Sequence, residues 1–434
     1  MSKDTSIIIL AAGFGTRMKS SKAKVLHELC GIPMIVHILK SAYEVSDDVA
    51  VVLSHQLEEI SAVIKKLYPK TKIYRQDITN YPGTAGALRD IEFSGKKTLV
   101  ICGDMPLITA KEISSLAKED GDIALSVFKA KEPSNYGRVV MSGSAIKKIV
   151  EQKDASDEER KIELVNGGCY AFKTDVLKRL LPLISNNNNQ KEYYLTDTIE
   201  LATKNGLVCK AVIVDELNFM GINDKFSLSV AEEILGNRIK KELMLNGVKF
   251  RLPATTYIDV RAKFSGECVV EENVTIIGEC ELDNVTIKSG TIIENSKISN
   301  SKIGPLAHIR PNCDIKNSAI GNFVELKNAK LNGVKAGHLS YLGDCFIDEG
   351  TNVGCGVITC NYDGKAKYQT KVGKNVFIGS DSQLIAPVTV EDDVIIAAGS
   401  TITSDITKGS LAISRVKQTN KEDFFYKFFK AKEC

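Results

Sequence analysis

Short apolar runs alternate with helical patterns through the first half of the chain. Residues 6–10, 49–53, 98–101, 123–127 and 208–214 read as strands, and residues 33–43, 57–67, 111–118 and 174–181 as helices. That alternation predicts an α/β domain with a mostly parallel sheet, whose ligands sit beyond the carboxyl ends of the strands. Residues 185–190 (SNNNNQ) are a polar loop. Phe226, Val230, Ile234, Ile239 and Leu243 recur at helical spacing, which predicts a helix over 224–245 linking the two halves.

After about residue 248 the pattern changes. Val372, Ile378, Leu384, Val390, Ile396 and Ile402 recur every six positions. Val270, Ile276 and Leu282, then Ile287, Ile293, Ile298, Ile303, Ile309, Ile315 and Ile320, follow a looser version. A sandwich strand has period two and irregular turns, and would not hold aliphatic residues in a six-residue register. The pattern therefore predicts a hexapeptide β-helix, each triangular coil stacking on the last at about 4.8 Å. Residues 361–371 break the repeat and should project as a loop. Residues 421–430 (KEDFFYKFFK) read as an aromatic helix or tail that covers an edge or packs on a neighbour.

Composition sharpens this little. The chain has 434 residues, 43% hydrophobic and 26% charged, which excludes disorder, collagen and coiled coil as the main architecture. A net charge of +3 gives no support for a nucleic-acid-binding protein. No apolar run approaches the roughly 20 residues of a membrane helix. The eleven cysteines are an odd number without a CxxC, so they read as small buried residues in a reducing cytosol.

The candidate chemistry falls in two groups. In LAAGFGTRM (10–18), Gly13 and Gly15 let backbone N–H groups approach phosphate, and Arg17 and Lys24 suit a triphosphate whose leaving pyrophosphate must be neutralised. There is no Walker GK[ST]. Asp104, in ICGDMPLI, ends an apolar strand and could hold Mg²⁺ between phosphates, or simply cap the next helix. Gln76 could read a base through paired donor and acceptor, and Gly83 and Thr84 could bring backbone against it. In the second half the densest motif is KAGHLSYLGD (335–344), with RP at 310–311, NFVELK at 322–327 and TCNYDGKAK at 359–367. His338 stands in that motif as a candidate general base, a role in which a histidine can supply about 10²–10⁴ of rate.

LAAGxGTRM, Lys24 in KVLH, GT at 83–84 and GDMPL resemble the sugar-phosphate nucleotidylyltransferases. YGR (136–138), EQKDA (151–155), Asn166 and EYYLTD (192–197), with the second half, narrow the resemblance. The chain resembles the bacterial bifunctional N-acetylglucosamine-1-phosphate uridylyltransferase and glucosamine-1-phosphate N-acetyltransferase family over nearly its whole length.

The resemblance implies a Rossmann-like nucleotidyltransferase domain (1–223), a linker helix (224–247) and a left-handed parallel β-helix acetyltransferase domain with a tail (248–434). It implies UTP contacts at Leu10, Ala11, Ala12, Gly13, Lys24, Gln76, Gly83 and Thr84. N-acetylglucosamine 1-phosphate would meet Gly137, Glu151, Asn166 and Asn223. Asp104 and Asn223 would carry Mg²⁺, while Arg17 and Lys24 stabilise the phosphates in flight. Glucosamine 1-phosphate would meet Arg310, Lys327, Tyr341, Asn352 and Lys367. Acetyl-CoA would meet Cys355, Asn361, Tyr362, Ser380, Ala398 and Arg415, with His338 as general base. The product would be UDP-N-acetylglucosamine, the precursor of peptidoglycan and lipopolysaccharide. The family also implies a cytoplasmic homotrimer without nucleic-acid partner or membrane insertion.

Three departures stand out. The stretch between Gln76 and Gly83 is about two residues longer than the usual pattern, Gly86-Ala87 replaces a bulkier residue before Ala, and Cys355 stands where the family usually has Ala. None removes a catalytic group. One rival is a monofunctional nucleotidylyltransferase with a regulatory β-helix, and the intact GHLSYLG and NYDG motifs argue against it. The other is a non-catalytic scaffold, against which Arg17, Lys24, Asp104 and His338 argue together.

Overall fold

The computed structural model describes residues 4–133, 136–143 and 145–430. Two compact units result, Met1–Leu235 and Gly236–Cys434. The first holds a nine-stranded sheet: β1 (Thr5–Leu10), β2 (Asp48–Leu53), β3 (Lys72–Arg75), β4 (Lys97–Cys102), β5 (Ile123–Lys129), β6 (Arg138–Ser142), β7 (Ala145–Val150), β8 (Leu164–Lys173) and β9 (Cys209–Ile213). The order is β9-β5-β8-β4-β1-β2-β3, with β6 joined to β8 and β7 to β6. Strand β8 runs antiparallel to both β4 and β5, and β6–β7 is an antiparallel hairpin. The other pairs along the path are parallel.

Strand β1 reads TSIIIL without polar alternation because both faces are covered. Successive side chains point to opposite faces. Ile7 and Ile9 therefore join a core with helices α1 (Met34–Tyr43), α2 (Leu57–Leu67) and α3 (Ala110–Lys118). Ile8 joins the opposite core, with α4 (Thr174–Leu180) and α5 (Asp197–Lys204). Thr109 and Glu112 form a capping box at the start of α3. Asp104 is therefore not that helix's cap.

The division between the units falls inside α6 (Lys225–Leu245), so half of the expected linker helix belongs to each. Ala231 packs in the first unit with Leu29, Met34 and Leu107, and Ile239 and Leu243 pack on the core of the second.

The second unit is a stack of parallel coils. One face runs His308, Glu325, Tyr341, Ile358, Gln383, Thr401, each paired in parallel with the next. A second runs Ala319, Lys335, Asn352, Phe377, Ile395, Leu411. The periodic aliphatic residues all point inward: Val372, Ile378, Leu384, Val390, Ile396 and Ile402 are buried, as are the ten earlier ones. The hexapeptide period thus marks one buried side chain per face of each coil. The interruption is a small hairpin in which Tyr362 pairs with Lys367 and Tyr368 N–H donates to Asn361 O at 2.8 Å. The stack resumes at Thr370–Val372, slightly earlier than expected.

The parallel strands and long helices match expectation within a residue or two. Strand β3, the β6–β7 hairpin, strand β8 and helix α5 were not anticipated. Strand β8 carries Asn166, Gly167 and Gly168 inside it, and its register shifts between Asn166 and Tyr170. All ten described cysteines are free, and six are buried; Cys434 lies outside the described residues. No helix among the described residues is long and apolar enough to cross a membrane. In the tail helix (Phe424–Lys430), Phe424, Phe425, Phe428 and Phe429 are exposed and contact one another.

Candidate active sites

A cavity of about 480 Å³ opens at the carboxyl ends of β1 and β4. Leu10, Ala11, Ala12, Gly13, Lys24, Gln76, Gly83, Thr84, Asp104 and Glu151 all line it. Gly15 turns the loop back with φ of 63°, and a Cβ there would lie 2.6 Å from Lys24 Cβ. Glycine at that position therefore lets the loop and the lysine stem occupy adjacent space.

Lys24 Nζ donates to Asp104 Oδ2 at 2.5 Å and to Asn223 Oδ1 at 2.8 Å. The ammonium is mostly buried. Asp104 and Asn223, distant in sequence, thus aim two hard oxygens at one cation seat. A carboxylate and an amide carbonyl, completed by phosphate oxygens and water, form the donor set that Mg²⁺ prefers. The residues present therefore fit the metal. Arg17 sits in the exposed 3₁₀ turn Thr16–Met18 and does not line the cavity.

Gln76 is buried. Its Nε2 donates to Tyr81 O and to Gly83 O, both at 2.9 Å. Two carbonyls on one nitrogen settle which way the amide points. Both N–H groups are thereby occupied, and only Oε1 is left to meet a base. The expectation of paired donor and acceptor is corrected accordingly: Gln76 offers an acceptor alone.

Gly86 packs against the loop that follows Gln76. A Cβ at residue 86 would lie 2.0 Å from Tyr81 O. The lengthened loop passes so close to residue 86 that no side chain fits.

The side of the cavity expected to take the sugar is built from several elements. A Cβ on Gly137 would lie 3.5 Å from Glu151 Oε1, and Asn166 N–H donates to Gly137 O at 2.9 Å. Burial pushes the Glu151 carboxyl above the usual range, partly offset by a hydrogen bond from Thr196 Oγ1 at 3.1 Å. Arg138, of the YGR motif, is buried and donates to Gln152 Oε1 at 2.6 Å, which ties the hairpin to the Glu151 turn. Gln190, Glu192 and Tyr194 line the cavity as well. Sequence reasoning assigned them no role, although EYYLTD was noticed as a motif. Cys102 also lines it, with its thiol pushed up to about 12 by burial and by Asp104, so it stays protonated.

In the second unit, Arg310, Lys327 and Tyr341 share one face. Arg310 Nη1 donates to Glu325 Oε1 at 2.8 Å. The Lys367 ammonium, brought over by the hairpin, holds Lys327 below the usual lysine range. Two like charges held together without an intervening anion are suited to a phosphate. Asn361 is buried, and its Nδ2 donates to Asp344 Oδ2. Tyr362 is exposed. Asn352 lies on a different face of the same stack, paired with Lys335 and Phe377.

His338 ends a strand at an exposed corner and pairs with Asn322. From it a row descends through successive coils. Gly356 N–H donates to His338 O at 3.4 Å, Asp381 N–H to Cys355 O at 2.8 Å, and Gly399 N–H to Ser380 O at 2.8 Å. In parallel register these bonds place His338, Cys355, Ser380 and Ala398 one above another. Arg415 Nη1 donates to Ala398 O at 2.9 Å at the end of the row. Three coil steps span about 14 Å. Four residues expected at acetyl-CoA therefore form a track leading to the histidine.

Two family descriptions match the chain: a MobA-like NTP transferase domain over residues 7–168, and the bacterial transferase hexapeptide (six repeats) over residues 369–404. "Bifunctional protein GlmU" of Campylobacter curvus (strain 525.92) is 63% identical over 426 residues, covering 98% of each chain. The protein of that name from Campylobacter hominis is 63% identical over 98% of this chain and 99% of its own. That from Campylobacter jejuni (strain RM1221) is 57% identical over the same shares. Similarity of this extent, over both units and both sites, means that the chain belongs to the GlmU family of bifunctional enzymes, N-acetylglucosamine-1-phosphate uridylyltransferase joined to glucosamine-1-phosphate N-acetyltransferase.

Proposed function

We propose that the second unit acetylates glucosamine 1-phosphate and the first joins the product to UMP. The observation that carries this reading is the pairing of two candidate sites in one chain. One is the Lys24–Asp104–Asn223 seat at a nucleotide-sized cavity, and the other the row from His338 to Arg415.

In acetyl transfer, Arg310, Lys327 and Lys367 bind the sugar phosphate. His338 takes a proton from the substrate ammonium, and the freed amine attacks the thioester carbonyl. The C–N bond forms, the attacking nitrogen gives its second proton to water, and the C–S bond breaks. The imidazolium returns its proton to the leaving CoA thiolate. Asn361 orients the reacting groups from its fixed position against Asp344.

In uridylyl transfer, Glu151, Gly137 and Asn166 hold N-acetylglucosamine 1-phosphate, whose phosphate oxygen attacks the α-phosphorus of UTP in line with departing pyrophosphate. Such chemistry depends on positioning and charge stabilisation. Lys24 supplies fixed positive charge, while Arg17 would have to swing in from its exposed turn to reach the phosphates. Asp104 and Asn223 would hold Mg²⁺, which would supply positive charge against the charge that develops on the phosphates. Gln76 Oε1 accepts from the N3–H of uracil, whereas the N3 of cytosine is itself an acceptor.

The same reading includes a cytoplasmic homotrimer with divisions at 1–223, 224–247 and 248–434. A corner of the β-helix supports assembly. Leu306, Phe323 and Leu339 stack there, about half exposed, with φ of 55°, 55° and 49°. Bulky apolar residues in left-handed conformation on open surface have a rationale when a neighbouring copy covers them. A monomeric peak in light scattering that remains active would refute the trimer.

The test of function is one incubation with glucosamine 1-phosphate, acetyl-CoA, UTP and Mg²⁺, read by mass spectrometry for UDP-N-acetylglucosamine. His338→Ala should abolish thiol release from acetyl-CoA and spare pyrophosphate release; Asp104→Ala should do the reverse. Loss of both activities in either well-folded variant would contradict two independent sites.

A further inference from the structure

The turn that meets the base is held from behind by a stack that no assigned role covers. Arg89 Cζ lies 5.2 Å from the ring centroid of Tyr81 and 5.2 Å from that of Tyr193. The two rings are 5.9 Å apart and tilted by 54°, so the guanidinium lies against both. Its Nε is buried without a hydrogen-bond partner among the described residues, and its Nη2 has only a long contact of 3.5 Å to Ile184 O. What holds this cation is chiefly the two ring faces.

Each ring belongs to a segment that fixes the turn. Tyr81 O takes one N–H of Gln76, and Gly83 O takes the other. Tyr193 N–H donates to Pro82 O at 2.8 Å, and Tyr193 O accepts from Ala85 N–H at 2.9 Å. Leu195 N–H donates to Thr84 Oγ1 at 2.9 Å. The residues between Pro82 and Ala85 are thus laced to the 193–195 segment on one side and to Gln76 on the other. Arg89 is the common piece behind both.

We propose that Arg89 is a positioning residue for the nucleotide. By clamping Tyr81 to Tyr193 it sets the Gly83–Thr84 turn and the Gln76 amide at the spacing a uracil ring needs, and so controls both UTP affinity and base selectivity. This rests on the uridylyl-transfer reading of the cavity. Arg89 touches no reacting atom, so its loss acts on binding.

The test uses the full-length enzyme and steady-state pyrophosphate release. Arg89→Ala and Tyr81→Leu should each raise KM for UTP about tenfold, as loss of a partly buried cation–π pair would, and leave kcat within about twofold. Both should lower the kcat/KM preference for UTP over CTP. Because they break one clamp, the double variant should be no worse than the more damaged single one. Tyr81→Phe keeps the ring face and should behave like the wild type, which separates the clamp from general damage to a loop. The proposal is overturned by an unchanged KM and selectivity in Arg89→Ala, by a fall in kcat at constant KM, or by equal damage from Tyr81→Phe and Tyr81→Leu. A wild-type enzyme that releases no pyrophosphate would instead sink the underlying reading.

Discussion

Replacing Gln76 by Glu changes one NH₂ into an oxygen of nearly the same size. In this protein that change falls where it does most harm. Both Nε2 hydrogens are engaged, at 2.9 Å each, by the carbonyls of Tyr81 and Gly83. The glutamate loses two neutral hydrogen bonds, about 1 kcal/mol each, and leaves two carbonyls facing a carboxylate oxygen, which costs about 1–3 kcal/mol each. A penalty of roughly 4–8 kcal/mol in a buried pocket exceeds what the turn can sustain, so Tyr81 and Gly83 should move apart. Even if relaxation recovers half of it, KM for UTP should rise at least about 30-fold at pH 7.5. The carboxyl would also titrate high there, because burial and facing carbonyls disfavour its charge. Once protonated it can donate to one carbonyl, so the defect should shrink toward pH 6. The assay is KM for UTP by pyrophosphate release from pH 6 to 8, with acetyl transfer as an internal control. A KM within threefold of wild type at pH 7.5 would refute the amide's orientation and with it the acceptor-only reading of the base.

Three other outcomes follow from groups already described or near them. Asp197 sits beside Glu151 at the start of α5, and burial together with the Glu151 and Glu200 charges pushes its carboxyl up to about 6. Its folded pKa lies above its unfolded one, so stability should rise as pH falls from above 6 toward 4, and Asp197→Asn should flatten that slope in thermal melts; parallel slopes would contradict this. Asp259 is fully buried in the β-helix. Burial alone would raise it, but the guanidinium and N–H of Arg261 and the N–H of Gly278 more than offset this and hold it below the usual range. Its contribution should be present above about pH 4 and fade as pH falls through the lowered pKa, so the deficit of Asp259→Asn, about 2–4 kcal/mol at pH 7 by urea unfolding, should close in acid; a constant gap would contradict it. Cys355→Ala should leave acetyl transfer largely intact, and a collapse in thiol release would instead indicate a covalent role for this exposed thiol.

Much of this was legible because burial leaves a periodic mark. The six-residue aliphatic register is the interior of the β-helix written out in order, and the uninterrupted IIIL of β1 marks a strand covered on both faces. Motif residues were legible where chemistry demands a residue type, as at Lys24, Asp104 and His338. Strand β8 was not, because the glycines within it look like a turn, and only its position between two other strands makes it extended. The contacts of Arg138 and Thr196 were hidden for a related reason. Each acts by touching a residue far away in the chain, and no local spacing encodes that contact. The direction of the Gln76 amide belongs in the same class, since the two carbonyls that settle it lie in the loop between Gln76 and Gly83.

The stacked coils of the second unit separate two kinds of change. Each coil touches only the one above and the one below, so its folding free energy is close to a local quantity. Inward positions form one continuous aliphatic column, and a residue inserted within one of its strands would turn the side chains after it in that strand to the other face. The hairpin from Asn361 to Tyr368 leaves and rejoins that column without shifting it, as the direct pairing of Ile358 with Gln383 shows. Lys367 and Asn361 ride on this detour, whereas His338, Cys355, Ser380 and Ala398 ride on outward corners. The hairpin can therefore be lengthened, trimmed or re-decorated while the column stays in frame, whereas the spacing of the corner residues is the pitch of the column itself.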